Sequence, residues 1–157
     1  MTPNIGISPE LLSQSAHSLN SILADEFIIY TKTRSAHWNV EGADFHSKHL
    51  FFESQYEQLD EIMDEVAERI RVLGHYAPAT LKSFLELTHL NEHLHEGNSS
   101  TIFIKELLND HESLIIRLRE LINPLNTKMH DAGTSDFITG LAETHEKMAW
   151  MLRAHLR

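Results

Sequence analysis

Cysteine is absent from this chain of 157 residues. Its absence excludes disulfide frameworks, thiolate zinc sites and cysteine nucleophiles. Histidine, by contrast, occurs 12 times. Imidazole and carboxylate groups are therefore the metal ligands that this chain can supply.

Long apolar runs and positive charge are also scarce. No run of about 20 apolar residues is present, so no membrane-spanning helix is predicted. The opening segment, MTPNIGISPE, has neither the basic region nor the apolar region of a secretory signal, and we expect a cytoplasmic protein. The chain has 13 Lys and Arg residues against 23 Asp and Glu residues, for a formal net charge of -10. This balance disfavours a protein that condenses nucleic acid and favours a cationic partner, or solubility alone.

Glycine and proline number only six and four. They are clustered, and stretches without either cover residues 10–41, 43–73, 79–96 and 98–123. Such long stretches without breakers predict helices. The length and the 41% share of hydrophobic residues fit a single domain over residues 1–157.

Apolar residues recur at steps of three and four in four segments, which is the period of an amphipathic helix. The segment between the second and third of these helices, residues 75–97, is too long for a tight turn and has room for a short helix at 80–90. Four long helices with one long central crossover predict an all-α, ferritin-like bundle. The most regular apolar series belongs to the second helix: Phe45, His49, Phe52, Tyr56, Leu59, Met63, Val66, Ile70 and Leu73.

Two polar pairs on this second helix could bind a metal. His49 and Glu53 are four residues apart, as are Asp64 and Glu68, so each pair shares a helix face. The pairs are separated by 15 residues, about 22 Å of helix rise, which is too far for one ion. A second, antiparallel copy of the helix would bring His49 and Glu53 opposite the Glu68 and Asp64 of that copy, creating two composite sites. A solvated acidic helix face explains the same spacing, and the residues alone leave both interpretations open.

A wider motif gives His37 a context, although a lone histidine beside Trp38 is more often a core or capping residue. The run from His37 to Gly42, HWNVEG, is followed by Phe45, His49, Glu53, Asp64 and then Ala67-Glu68-Arg69-Ile70. This multi-part pattern resembles the Dps family of mini-ferritins, the DNA-binding proteins from starved cells. The ending from Trp150 to Ala154 is similar as well, so the resemblance spans nearly the whole chain.

The resemblance implies a ferritin-like subunit with a short helix in the crossover, assembled as a hollow dodecamer. It implies iron storage and detoxification: Fe(II) is oxidised, usually by hydrogen peroxide, at sites between subunits and stored as ferric mineral. The implied ligands are His37, His49 and Glu53 of one subunit with Asp64 and Glu68 of its mate. The family usually has Asp where this chain has Glu53.

Two alternatives use the same fold. The first is a structural protein that compacts DNA and has little ferroxidase activity. DNA-binding members of the family carry a lysine-rich tail, whereas residues 1–18 here contain no Lys or Arg, so we expect no DNA binding at neutral pH. The second is an interaction shell whose sites hold zinc or are idle.

Two further groups of residues have ordinary explanations. Asp131 and Asp136 lie at the start of the last helix, where acids commonly cap, although the resemblance also offers an iron-entry pore. His89, His93 and His95 have metal-like spacing, but surface histidines are the commoner interpretation in a polar crossover.

Overall fold

The structure is a computed structural model that describes residues 3–92 and 96–157. Within those residues it contains helices and no β-strand, apart from one isolated bridge between Glu41 and Ser99. No helix in this described part is long and apolar enough to cross a membrane. The helices are α1 (Pro9–Asn39), α2 (Phe45–Val72), α3 (Leu81–Leu87), α4 (Ser100–Thr127) and α5 (Ala132–Ala154).

The four long helices pack as two pairs, α1 with α2 and α4 with α5, and α1 also packs against α4. The short helix α3 lies in the crossover between α2 and α4 and contacts α1. The predicted ferritin-like bundle with a short crossover helix is therefore confirmed. The predicted apolar series of α2 is fully buried at Phe52, Leu59, Val66 and Ile70, whereas Phe45 at its start is 45% exposed.

Local chemistry explains the start of α1 and the end of α4. The Ser8 hydroxyl accepts a hydrogen bond from the Leu11 amide at 3.4 Å, and proline occupies the first turn of α1. The C-terminal end of α4 differs from the expectation that the helix stops before Pro124. The helix continues to Thr127, and the Pro124 carbonyl accepts the Lys128 amide at 2.9 Å. A proline removes one donor, and near a helix end this single loss leaves the last turn intact.

Polar side chains cross the interior of the bundle. The Glu26 carboxylate on α1 lies 2.8 Å from His145 Nε2 on α5, and His145 Nδ1 lies 2.9 Å from His111 Nδ1 on α4. All three side chains are fully buried. In the sequence, His111 lies at helical spacing from Leu107 and Leu114, and His145 from Leu141 and Met148. The spacing does not indicate Glu26 as their partner, because helical period alone does not identify which buried groups meet across a bundle.

A second buried cluster lies on α1 and α4. Lys32 Nζ is 2.9 Å from Glu106 and 2.5 Å from Asp110. It also donates to the Asn91 carbonyl at 3.1 Å, which ties α1 to the crossover. Breaking a buried ion pair on one side costs about 3–5 kcal/mol, so these contacts fix the relative position of the two helices.

The protonation of His111 predicts how stability depends on pH. Burial, followed by the neighbouring His145, lowers the pKa of His111 well below its ordinary value of 6.5. The unfolded chain therefore binds a proton that the folded chain does not. The resulting stability is present above about pH 6.5 and is lost as the pH falls towards the folded pKa, by up to about 1.4 kcal/mol per pH unit.

We expect His111→Gln to flatten this dependence between pH 7.5 and 5.5, measured by urea unfolding at one protein concentration. The matched control is His17→Gln, because His17 is an exposed histidine on α1. An unchanged slope in His111→Gln would contradict the assignment.

Candidate metal site

Two histidines meet where α1 passes into α2. His37 lies in the last turn of α1 and His49 lies early in α2. The connection between the helices includes Gly42, whose φ of 126° is a conformation that glycine adopts readily. The turn brings the two imidazole rings into a stack with centroids 3.8 Å apart and planes inclined by 21°.

Each histidine is oriented by the backbone of the other. His37 Nδ1 donates to the His49 carbonyl at 2.9 Å, and His49 Nδ1 donates to the His37 carbonyl at 2.8 Å. A carbonyl oxygen only accepts, so both rings carry their proton on Nδ1 and keep the Nε2 lone pair when neutral. Metal-binding histidines are commonly oriented by such a hydrogen bond from their other nitrogen.

The two rings differ in their access to solvent. His37 is 8% exposed and His49 is half-buried. Both rings therefore lie partly inside the protein, where their geometry is restricted, and His49 is the more accessible of the two.

Glu53 lies one helical turn beyond His49 and is half-buried. The Tyr56 hydroxyl donates to Glu53 Oε1 at 3.3 Å, and the Tyr56 ring meets the His37 ring edge-on, with centroids 5.2 Å apart. Burial, followed by the negative charge of Glu53, raises the pKa of Tyr56 above its ordinary value of 10. The tyrosine therefore remains a hydrogen-bond donor at neutral pH.

Asp64 and Glu68 lie farther along α2, and both side chains are exposed. Asp64 is 11 residues beyond Glu53, which corresponds to about 16 Å of helix rise, so a single subunit does not bring these acids to the histidines. Among residues 3–92 and 96–157, no three His, Cys, Asp or Glu side chains are placed to hold a metal by themselves. The contribution of Asp64 and Glu68 from a second copy stays a prediction.

Asp131 caps the last helix. Its carboxylate accepts the Thr134 amide at 2.9 Å, lies 3.4 Å from Arg69 and is 2% exposed. The capping interpretation is thus confirmed for Asp131. Asp136 is exposed, and an iron-entry pore lined by acids of this region stays a prediction.

The predicted histidine group in the crossover is described only in part. His89 is a surface residue whose Nδ1 lies 3.5 Å from the buried carboxylate of Asp25. His93 and His95 lie outside the described residues. The surface interpretation is therefore confirmed for His89 alone.

Sequence reasoning missed two residues beside the histidines. Tyr56 was assigned to the apolar series of α2, yet its hydroxyl contacts Glu53. Arg34 on α1 places its guanidinium carbon 4.2 Å from the centre of the Tyr56 ring and 5.0 Å from that of Trp38. The three-residue spacing from Glu53 to Tyr56 was a usable signal for the hydrogen bond, whereas nothing in the sequence indicated the arginine contact.

Comparisons with known proteins agree with this architecture. The family model of the ferritin-like domain matches residues 16–157. DNA protection during starvation protein 2 of Bacillus anthracis is 33% identical over 138 residues, covering 88% of this chain and 93% of that protein. An uncharacterized low temperature-induced protein of Nostoc sp. is 41% identical over 153 residues, covering 98% of this chain and 86% of that protein.

Two solved structures of Dps proteins are similar to this chain over nearly their full lengths. The Dps protein of Vibrio cholerae O1 has a TM-score of 0.92 at 29% identity, covering 99% of this chain and 97% of that chain. DpsC from Streptomyces coelicolor has a TM-score of 0.94 at 25% identity, covering 100% of this chain and 91% of that chain.

The fold and the helix pairing define a ferritin-like protein. Within that class, the chain belongs to the Dps family. The Vibrio cholerae relative is described as a member of a broad superfamily of ferritin-like diiron-carboxylate proteins. Family membership therefore supports iron binding and iron storage in general.

Proposed function

We propose that this protein oxidises Fe(II), preferentially with hydrogen peroxide, at sites shared by two subunits and stores the ferric product inside a dodecameric shell. The observation that carries the proposal is the pair of reciprocal hydrogen bonds between His37 and His49. These bonds leave the Nε2 lone pairs of two adjacent imidazoles available for a metal ion. The membership of the Dps family supports iron as that metal.

The proposed ligand set is completed by symmetry. A two-fold axis between residues 58 and 59 of paired α2 helices would bring His49 towards the partner's Glu68 and Glu53 towards the partner's Asp64. Both acids are exposed on the single subunit, where a second copy can reach them. A two-fold contact is the commonest interface in oligomers and creates each site twice.

The chemistry follows from the donor atoms. Fe(II) accepts imidazole together with carboxylate, and the ferric product prefers the oxygen ligands of Glu53, Asp64 and Glu68. Two Fe(II) ions supply the two electrons that reduce one peroxide, and two protons complete its conversion to two water molecules. Few protein ligands per iron would leave positions open for peroxide.

The surface of the subunit also supports assembly. Large apolar side chains are exposed on α3, where Leu81 is 69% and Leu85 is 48% exposed, and on the α4–α5 face, where Ile116 and Trp150 are each 61% exposed. Apolar patches of this kind commonly mark contacts between proteins. A closed shell would cover them.

DNA compaction is the second candidate function, and the charge distribution disfavours it. Each subunit carries a formal charge of -10, and residues 1–18 contain no Lys or Arg. Binding to the phosphate backbone depends on lysine and arginine contacts, and a strongly acidic shell would be repelled.

Assembly is the first property to test. We expect the purified chain to be a dodecamer, because the proposed two-fold site requires a second copy. Light scattering at micromolar concentration measures the mass. A stable monomer would remove the basis for the shared site.

DNA binding provides a second test. We expect no retardation of plasmid at neutral pH and physiological salt. Lowering the pH to about 6 could protonate some of the 12 histidines, whose reference pKa is about 6.5, and binding restricted to that pH would agree with this view. Tight binding at pH 8 would refute it.

Mixed dimers test whether two chains share each site. We expect a tandem-linked pair of one wild-type chain and one chain carrying both His49→Leu and Asp64→Asn to lose activity at both sites. The His49 change damages one composite site and the Asp64 change damages the other. The measurement is peroxide-driven Fe(II) oxidation.

A linked pair with His49→Leu alone on one chain is the control, and it should retain roughly half of the activity because one site stays intact. A ligand set contained within one chain predicts half activity for the doubly mutated hybrid as well. Half activity in the doubly mutated hybrid would contradict the shared-interface mechanism.

A further inference from the structure

Tyr56 contacts two of the proposed ligands in the same subunit. Its hydroxyl donates to Glu53 Oε1 at 3.3 Å, and its ring meets His37 edge-on at 5.2 Å with an interplanar angle of 79°. The ring is therefore part of the wall of the site, and its polar end is directed at the Glu53 carboxylate.

The position of the Tyr56 ring is set by α1. Tyr30 meets it in a T-shaped contact with centroids 6.3 Å apart, and the Arg34 guanidinium carbon is 4.2 Å from its centre. An arginine close to the face of an aromatic ring is an attractive cation–π arrangement. The hydroxyl is thus presented from a ring that several neighbours hold in place.

The hydrogen bond distinguishes the two oxygens of Glu53. Oε1 accepts the hydrogen bond from the Tyr56 hydroxyl. Oε2 does not take part in that bond and is the oxygen better placed to bind a metal ion. The Glu53 side chain has several rotatable bonds between its backbone and its carboxylate, so that carboxylate needs a contact that selects one orientation. Tyr56, three residues later on the same helix face, supplies that contact.

We propose that Tyr56 is a positioning residue that holds the Glu53 carboxylate for metal binding. The proposal rests on the proposed function, because it assigns a role within the same site. Tyr56 acts through Glu53 and donates no atom to the metal.

The test measures metal affinity without turnover. Co(II) is the probe, since it accepts the same imidazole and carboxylate ligands and its absorption bands report coordination. Anaerobic Co(II) titration of the assembled protein should show that Tyr56→Phe weakens binding by about 10–100-fold, the usual effect of removing a partner that orients a ligand. The matched control is Tyr30→Phe, whose ring packs in the same cluster.

A second pair of variants separates positioning from a general structural effect. In a Glu53→Ala background, Tyr56→Phe should change the remaining Co(II) affinity by less than about 2-fold, because its hydrogen-bond partner is absent. An equal loss in both backgrounds, or no loss in Tyr56→Phe alone, would overturn the role of Tyr56 and leave the proposed function standing. If His49→Leu leaves the Co(II) titration unchanged, the proposed site itself is wrong, and the inference falls with it.

Discussion

The antiparallel pairing of α1 and α2 is the constraint on which the candidate site depends. Two contacts between these helices show their register: His37 stacks on His49, and Tyr30 contacts Tyr56 about two helical turns away. A shift of one residue in this pairing would rotate the two imidazoles away from each other by about 100°. It would also break the reciprocal hydrogen bonds that fix their tautomers.

The buried polar contacts stabilise that register from the other side of the bundle. Both Glu26 and Lys32 lie on α1. Glu26 reaches α5 through a short hydrogen bond to His145, and Lys32 reaches α4 through short ionic contacts. Such groups are costly to bury and more costly to leave without partners. Sliding α1 along its neighbours would separate these pairs, so the same contacts that fix the bundle also fix the position of His37.

The net charge of the chain favours some functions of this fold over others. A surface with an excess of acidic residues attracts cations and repels nucleic acid. Residues 1–18 contain no Lys or Arg that would reverse this preference locally. The proposed iron chemistry and the predicted absence of DNA binding at neutral pH are thus both consistent with one charge distribution.

The sequence by itself determined the helix content, the crossover and the positions of the candidate ligands, because period, breakers and residue spacing are local properties of the chain. It placed Asp131 at a helix cap for the same reason. Only the tertiary structure decided which side chains meet: the stack of His37 on His49, the Glu26–His145 pair and the contact of Tyr56 with Glu53. Helical periodicity states which face a residue occupies, and neither the rotamer nor the partner across the bundle follows from it. Those are set by packing among helices that are distant in sequence.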